Sequence, residues 1–184
     1  MKNSSLKPRL IAIVTIIIAG AFMRLIPHWP NFTPIAAMAL FGGAYLERKY
    51  LAYLIPIAAL FISDLIIGFY DYMLPIYLAF AITVTLGILI RQKLSAGRIL
   101  GTAFASSIIF FLITNFAAWV GSPFYAKDFA GLMQAYIAGL AFFNDGSYGI
   151  SFFLNEVLGT VFYSLIFFGV FYLARLRFPF LAKA

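Results

Sequence analysis

The sequence has 184 residues, of which 64% are hydrophobic and only 10% charged. A soluble domain carries ~25% charged and ~45–50% apolar residues, and one of this length cannot hide so large an apolar excess from water. The net charge of +7 comes from small basic groups between long apolar runs, a pattern of membrane orientation rather than of nucleic-acid binding. There is no cysteine and one histidine. That excludes disulfides, thiolate metal sites, cysteine nucleophiles and any site drawing two histidines from one chain.

Lys2, Lys7 and Arg9 precede the apolar run 10–23, and Ala19-Gly20-Ala21 resembles a signal-peptidase site. A cleaved leader is the alternative to a retained first span; retention is the expectation, because the rest of the chain is itself rich in membrane-length segments. A spanning helix needs ~20 mostly apolar residues. Segments 10–26, 33–46, 50–69, 72–90, 99–120 and 150–174 qualify or come close, and 129–143 is ambiguous. Loop charges decide between the counts. With six spans, leaving out 129–143, and the N-terminus inside, only Arg24 and Lys127 of the 13 basic residues fall outside. Adding 129–143 as a span moves the three C-terminal basic residues outside, and exchanging it for the second segment leaves the charges almost evenly split. The expected fold is therefore an all-α membrane protein. Residues 1–184 form one domain with six transmembrane helices in a single bundle and both termini cytoplasmic. Residues 129–143 form an external re-entrant or interfacial helix before the last span. No internal repeat or linker is visible.

Polar side chains gather at the outer end of this scheme. The densest group is RLIPHWPNFTPIAAMALFGG, residues 24–43. Pro27, Pro30 and Pro34 make a rigid non-helical connection, with Thr33 as a candidate N-cap. They hold Arg24, His28, Trp29 and Asn31 at the membrane edge, as a binding site or as an interfacial anchor. A neutral imidazole such as that of His28 suits a transition metal or a metal-containing ligand, yet an isolated His is more often a loop hydrogen-bonder. Ala39-x-x-x-Gly43 and Gly101-x-x-x-Ala105 have the spacing of close helix packing. Asp64 interrupts an apolar run, so it should face the bundle interior, a cavity or a partner such as Arg24. Asn115 and Trp119 are four residues apart and share a helix face; the amide serves ligand recognition or interhelical bonding. Asn144-Asp145-Gly146 reads as a turn. Glu156, near the start of the last span, is favoured there by the helix dipole alone. No phosphate-binding loop or Gly-x-Ser-x-Gly elbow is present, and one His leaves no paired nucleophile and base, so an enzyme is not expected.

The runs RLIPHWPNFTPIAAMALFGGAY, SDLIIGF and FFLITNFAAW resemble those of substrate-binding (S) components of energy-coupling-factor (ECF) transporters, nearest to the solitary cobalamin transporter branch. The likeness runs from Arg24 to about Trp119, and its first motif is the specific one. It implies six helices, an outward-opening pocket under the first loop, and partnership with an ECF T component and two ATPases. It also implies that the His of the Pro-His-x-Pro motif, here His28, ligates the cobalt of a bound corrinoid. Two departures stand out. The fourth-span cysteine that some members of the branch use as the opposite cobalt ligand is missing, which excludes cysteine-dependent chemistry on the ligand. The Ala-x-x-x-Ala docking motif of the first span is replaced by Thr15-x-x-x-Ala19.

The expected function is thus a membrane-embedded component, in the bacterial inner membrane, that binds a micronutrient for uptake. Cobalamin or another corrinoid leads as the transported ligand, with no intrinsic cofactor. The expected substrate-binding residues are Arg24, His28, Asn31, Asp64, Asn115 and Trp119, with His28 as metal ligand and Trp119 as an apolar wall. The alternative is a structural or assembly protein without a small-molecule ligand.

Overall fold

A computed structural model describes residues 6–141 and 151–182. Among them the regular structure is helical throughout: α1 (Leu6–Met23), α2 (Ile35–Tyr45), α3 (Lys49–Ile67), α4 (Met73–Ile90), α5 (Ala96–Gly121), α6 (Phe129–Ala141) and α7 (Phe152–Arg177). Short 3-10 turns come after α4 (Arg91–Lys93) and α7 (Pro179–Leu181). The expected segments are all present, with ends shifted by a few residues. The expected turn at Asn144–Gly146, and Lys2 and Lys183 of the charge argument, lie outside the described residues.

Local chemistry sets several ends. Ser95 Oγ accepts from Arg98 N–H at 3.3 Å and Ser151 Oγ from Leu154 N–H at 3.2 Å, so these hydroxyls cap α5 and α7. Asp128 Oδ1 does the same for α6, through Gly131 N–H at 2.8 Å. Thr33 does not cap α2. Pro34 occupies the N-cap position, and no side chain bonds to the first turn. Pro34 itself supplies the start by fixing φ near its helical value and by bringing no N–H to satisfy.

Four helices are long and apolar enough to cross a membrane: Lys49–Ile67, Met73–Lys93, Ala96–Gly121 and Phe152–Arg177. Their outward faces are apolar as well. Leu54, Leu65, Leu74, Leu89, Leu112 and Leu173 are all exposed, an arrangement that suits lipid and that a water-soluble monomer avoids over so wide an area. α2 differs from the rest. Its 11 residues give about 16 Å of helix, well short of a ~30 Å hydrocarbon core, and residues 36–45 are all buried. It is the central rod, packed by α1, α3, α4 and α7.

Small residues on α2 permit that position. A Cβ on Gly43 would meet Val84 O at 2.2 Å, and one on Gly87 would meet Leu40 O at 2.4 Å. The α2–α4 crossing therefore brings backbone onto backbone, as the Ala39-x-x-x-Gly43 spacing leads one to expect. The Gly101-x-x-x-Ala105 expectation fails. Gly101 is exposed with nothing within 4 Å of its would-be Cβ, and α5 turns Ala103, Ser106 and Ser107 to the bundle instead. Those three positions form one helical face, offset from the face that carries Gly101.

The helices define two ends. At one, Arg9 Nη1 donates to Leu181 O at 3.1 Å and Arg91 Nη1 to Glu47 O at 3.1 Å. Arg48, Lys49, Lys93, Arg98, Arg175 and Arg177 belong to the same end. At the other end Arg24 meets Asp64, and Asn155 reaches the backbone of Pro30. α6 packs there against α5 and α7.

Candidate functional site

The loop between α1 and α2 closes this second end. Its turn is made by Asn31, whose φ of 61° lies in the left-handed region. Asparagine tolerates that region better than most residues. Phe32 N–H donates to Trp29 O at 3.0 Å and Thr33 N–H to Asn31 O at 3.0 Å. Asn155 Nδ2 of α7 donates to Pro30 O at 2.9 Å, and Gly159 lets α7 approach the Phe32 backbone, where a Cβ would sit 3.0 Å from Phe32 Cα. The loop is thus pinned to the last helix.

Beneath the loop lies a buried polar cluster. Asp64, in the last turn of α3, is fully buried and forms an ion pair with Arg24, whose side chain is only 9% exposed. Arg24 Nη1 also donates to Ser63 Oγ at 2.8 Å, and Nη2 to Tyr70 Oη at 3.4 Å. Tyr77 Oη donates to Asp64 Oδ2 at 2.7 Å. Burial pushes the Tyr70 phenol above its ordinary value, and Asp64 adds to that while Arg24 opposes it. Tyr70 therefore serves as a neutral hydroxyl.

A cavity of about 750 Å³ opens beside this cluster, within the ~300–1,000 Å³ range of small-molecule sites. Arg24, His28, Asn31, Tyr70 and Glu156 supply its polar wall, and Ile66, Ile76, Ala79 and Phe80 supply much of its apolar wall. His28 is exposed at its lip. A second cavity of about 270 Å³ shares Asn31, Phe110 and Glu156 with the first, and adds Thr114, Asn115, Phe111 and Tyr125.

The expected residues are brought together unevenly. Arg24, His28 and Asn31 line the larger cavity, and Asn115 the smaller, where Nδ2 donates to Phe111 O at 2.9 Å. Asp64 lines neither and acts through Arg24. Trp119 also lines neither. Its Nε1 donates to Ala126 O at 2.8 Å, and Lys127 Nζ sits 5.5 Å over its ring while donating to its backbone carbonyl and, at 2.6 Å, to Ser122 O. Trp119 fastens the α5–α6 loop rather than walling a cavity. Asn115 and the neighbouring Ala118 line the smaller cavity, whereas the Trp119 indole is taken up by the Ala126 carbonyl.

Glu156 is the residue whose place the sequence hides. It lies beyond the first turn of α7, so a dipole role does not account for it, and it is 5% exposed between the two cavities. Thr160 Oγ1 donates to its Oε1 at 2.9 Å. The one available signal was a carboxylate followed four residues later by a hydroxyl within an apolar run. Among the described residues no group of three or more His, Cys, Asp or Glu could hold a metal ion.

Fold and site together define a class: an all-helical protein with several membrane-length apolar helices and a polar-lipped cavity at one end. The chain belongs to a family of unknown function, DUF6580, whose model matches residues 4–181. Comparison with curated proteins and with solved structures gave no match.

Proposed function

We propose that this protein binds a micronutrient from outside the cell and helps import it across the bacterial inner membrane, as an ECF-type S component, with cobalamin or another corrinoid as cargo. The observation that carries the reading is the position of His28. The chain's one histidine is exposed on the lip of the larger cavity, between Pro27 and Pro30, with Arg24 and Asn31 on the same wall. A neutral imidazole held by a rigid loop is a suitable axial ligand for cobalt. The nucleotide base of the cobalamin would be displaced, and the corrin would lie against the lip.

In this reading α1–α5 and α7 cross the membrane as six legs, α2 with the help of its preceding loop, and α6 lies at the outer surface. The end rich in Arg and Lys is cytoplasmic, as the distribution of basic residues favours. Transport energy would come from a T component and two ATPases, and the chain performs no covalent chemistry on its cargo.

The test compares wild type with His28→Ala, purified alike in detergent and titrated with cobalamin. Weaker binding and loss of the nitrogen-ligated visible spectrum are expected. Equal affinity with identical spectra removes His28 from the site. Failure of wild type to bind any corrinoid removes the corrinoid and leaves a micronutrient component of different cargo.

A further inference from the structure

The smaller cavity combines three features that a simple packing defect does not. Its wall carries the rings of Phe110, Phe111, Tyr125 and Phe153, with Phe111 and Phe153 edge to face at 5.0 Å between centroids. Its border with the larger cavity carries Glu156, more than nine-tenths buried, whose one hydrogen-bond partner among the described residues is Thr160. Among the described residues no basic side chain lines this lobe. The nearest formal cation on the larger cavity's wall, Arg24, is already matched by Asp64.

We propose that this lobe is a binding site for an organic cation, a compact alkylammonium group whose charge Glu156 neutralises and whose methyl or methylene groups Phe110, Phe111, Phe153 and Tyr125 enclose. The charge balance carries the argument. Arg24 and Asp64 cancel, so an ionised Glu156 leaves the walls of the two cavities one negative charge in excess. A buried carboxylate without a counter-charge is costly; an incoming cation supplies it. Aromatic faces attract alkylammonium ions through their negative quadrupole, more strongly once water is excluded. Asn115 on the same wall offers an amide for a hydroxyl or amine elsewhere on the ligand. The site rests on the cavity being a ligand site and not on His28 or on a corrinoid.

The probe is choline, set against its neutral isostere 3,3-dimethylbutan-1-ol. Both are titrated calorimetrically into the purified full chain at constant ionic strength held with sodium chloride. Wild type should bind choline about tenfold or more tightly than the isostere. Glu156→Gln keeps an acceptor for Thr160 and removes the charge; it should abolish that preference while leaving isostere binding within about twofold. Phe111→Leu keeps an apolar wall and removes a quadrupole, and should reduce the preference several-fold. Equal binding of the two probes by wild type, or binding of neither, overturns the proposal. So does a preference retained in Glu156→Gln or, where that variant does not fold, a preference undiminished in Phe111→Leu. No cobalamin enters this experiment, so its failure leaves the corrinoid reading standing, and failure of cobalamin to bind leaves this site standing.

Discussion

At the scale of single residues, the Arg24–Asp64 pair makes the strongest demand. Both side chains are out of water, and Ser63, Tyr70 and Tyr77 complete their hydrogen bonds. Removing one member of such a pair leaves an uncompensated buried charge and costs ~3–5 kcal/mol. Asp64→Leu alone and Arg24→Met alone should each lower the unfolding midpoint in detergent strongly, and the double variant should recover part of the loss. A four-variant cycle with no interaction energy would show that the two charges do not sense each other. Tyr77→Phe removes one donor to a carboxylate and should cost about 1.5–3 kcal/mol. Asn31 tests the loop differently. Its left-handed φ costs a residue with an ordinary Cβ about 1–2 kcal/mol. Asn31→Gly should therefore keep the fold's stability while Asn31→Ala lowers it; equal thermal midpoints would show that the turn does not need this conformation.

The helices pose a question of contact rather than charge. α2 is buried over residues 36–45, and Gly43 and Gly87 let it touch α4 through backbone. A methyl at either position meets main-chain atoms that cannot rotate away, so Gly43→Ala and Gly87→Ala should each cost at or above the ~1–3 kcal/mol typical of overpacking. Gly101→Ala is the matched control. It sits on an exposed helical face and should gain about 0.5–1 kcal/mol, because alanine is the better helix former. Thermal unfolding in one detergent should place Gly101→Ala above wild type and the other two variants below it. A Gly87→Ala protein as stable as wild type would mean that the α2–α4 crossing opens at no cost.

For the whole molecule, the proposed orientation follows the arrangement of basic residues. Because the chain has no cysteine, single cysteines can be placed without background. In intact cells a membrane-impermeant thiol reagent should label Trp29→Cys and Lys127→Cys but not Arg98→Cys or Arg177→Cys. Labelling of the Arg177→Cys protein in intact cells would overturn six crossings with the end of α7 inside. The helical architecture and the approximate place of every helix were legible in the sequence, because apolar length and turn chemistry are local properties. Legible too were the pairing partner of Asp64 and the loop that holds His28, since a lone intramembrane carboxylate needs a counter-charge and closely spaced prolines at 27, 30 and 34 do not continue a helix.

What the sequence determined by itself was therefore the apolar character of the outer surface, the helical class and the set of polar residues at one end. Composition and spacing carry that information directly. Only the tertiary structure decided which of those polar residues meet. It withdrew Trp119 from the cavities to fasten a loop, gave Asn31 a backbone role beside its cavity face, and turned Gly101 outward while Gly87 took the close contact. It also moved Glu156 from an ordinary helix position to the wall between two cavities. The physical reason is shared: a helix fixes which residues share a face, but the rotation of that face toward a cavity, a neighbour or lipid is set by the packing of the other helices around α2.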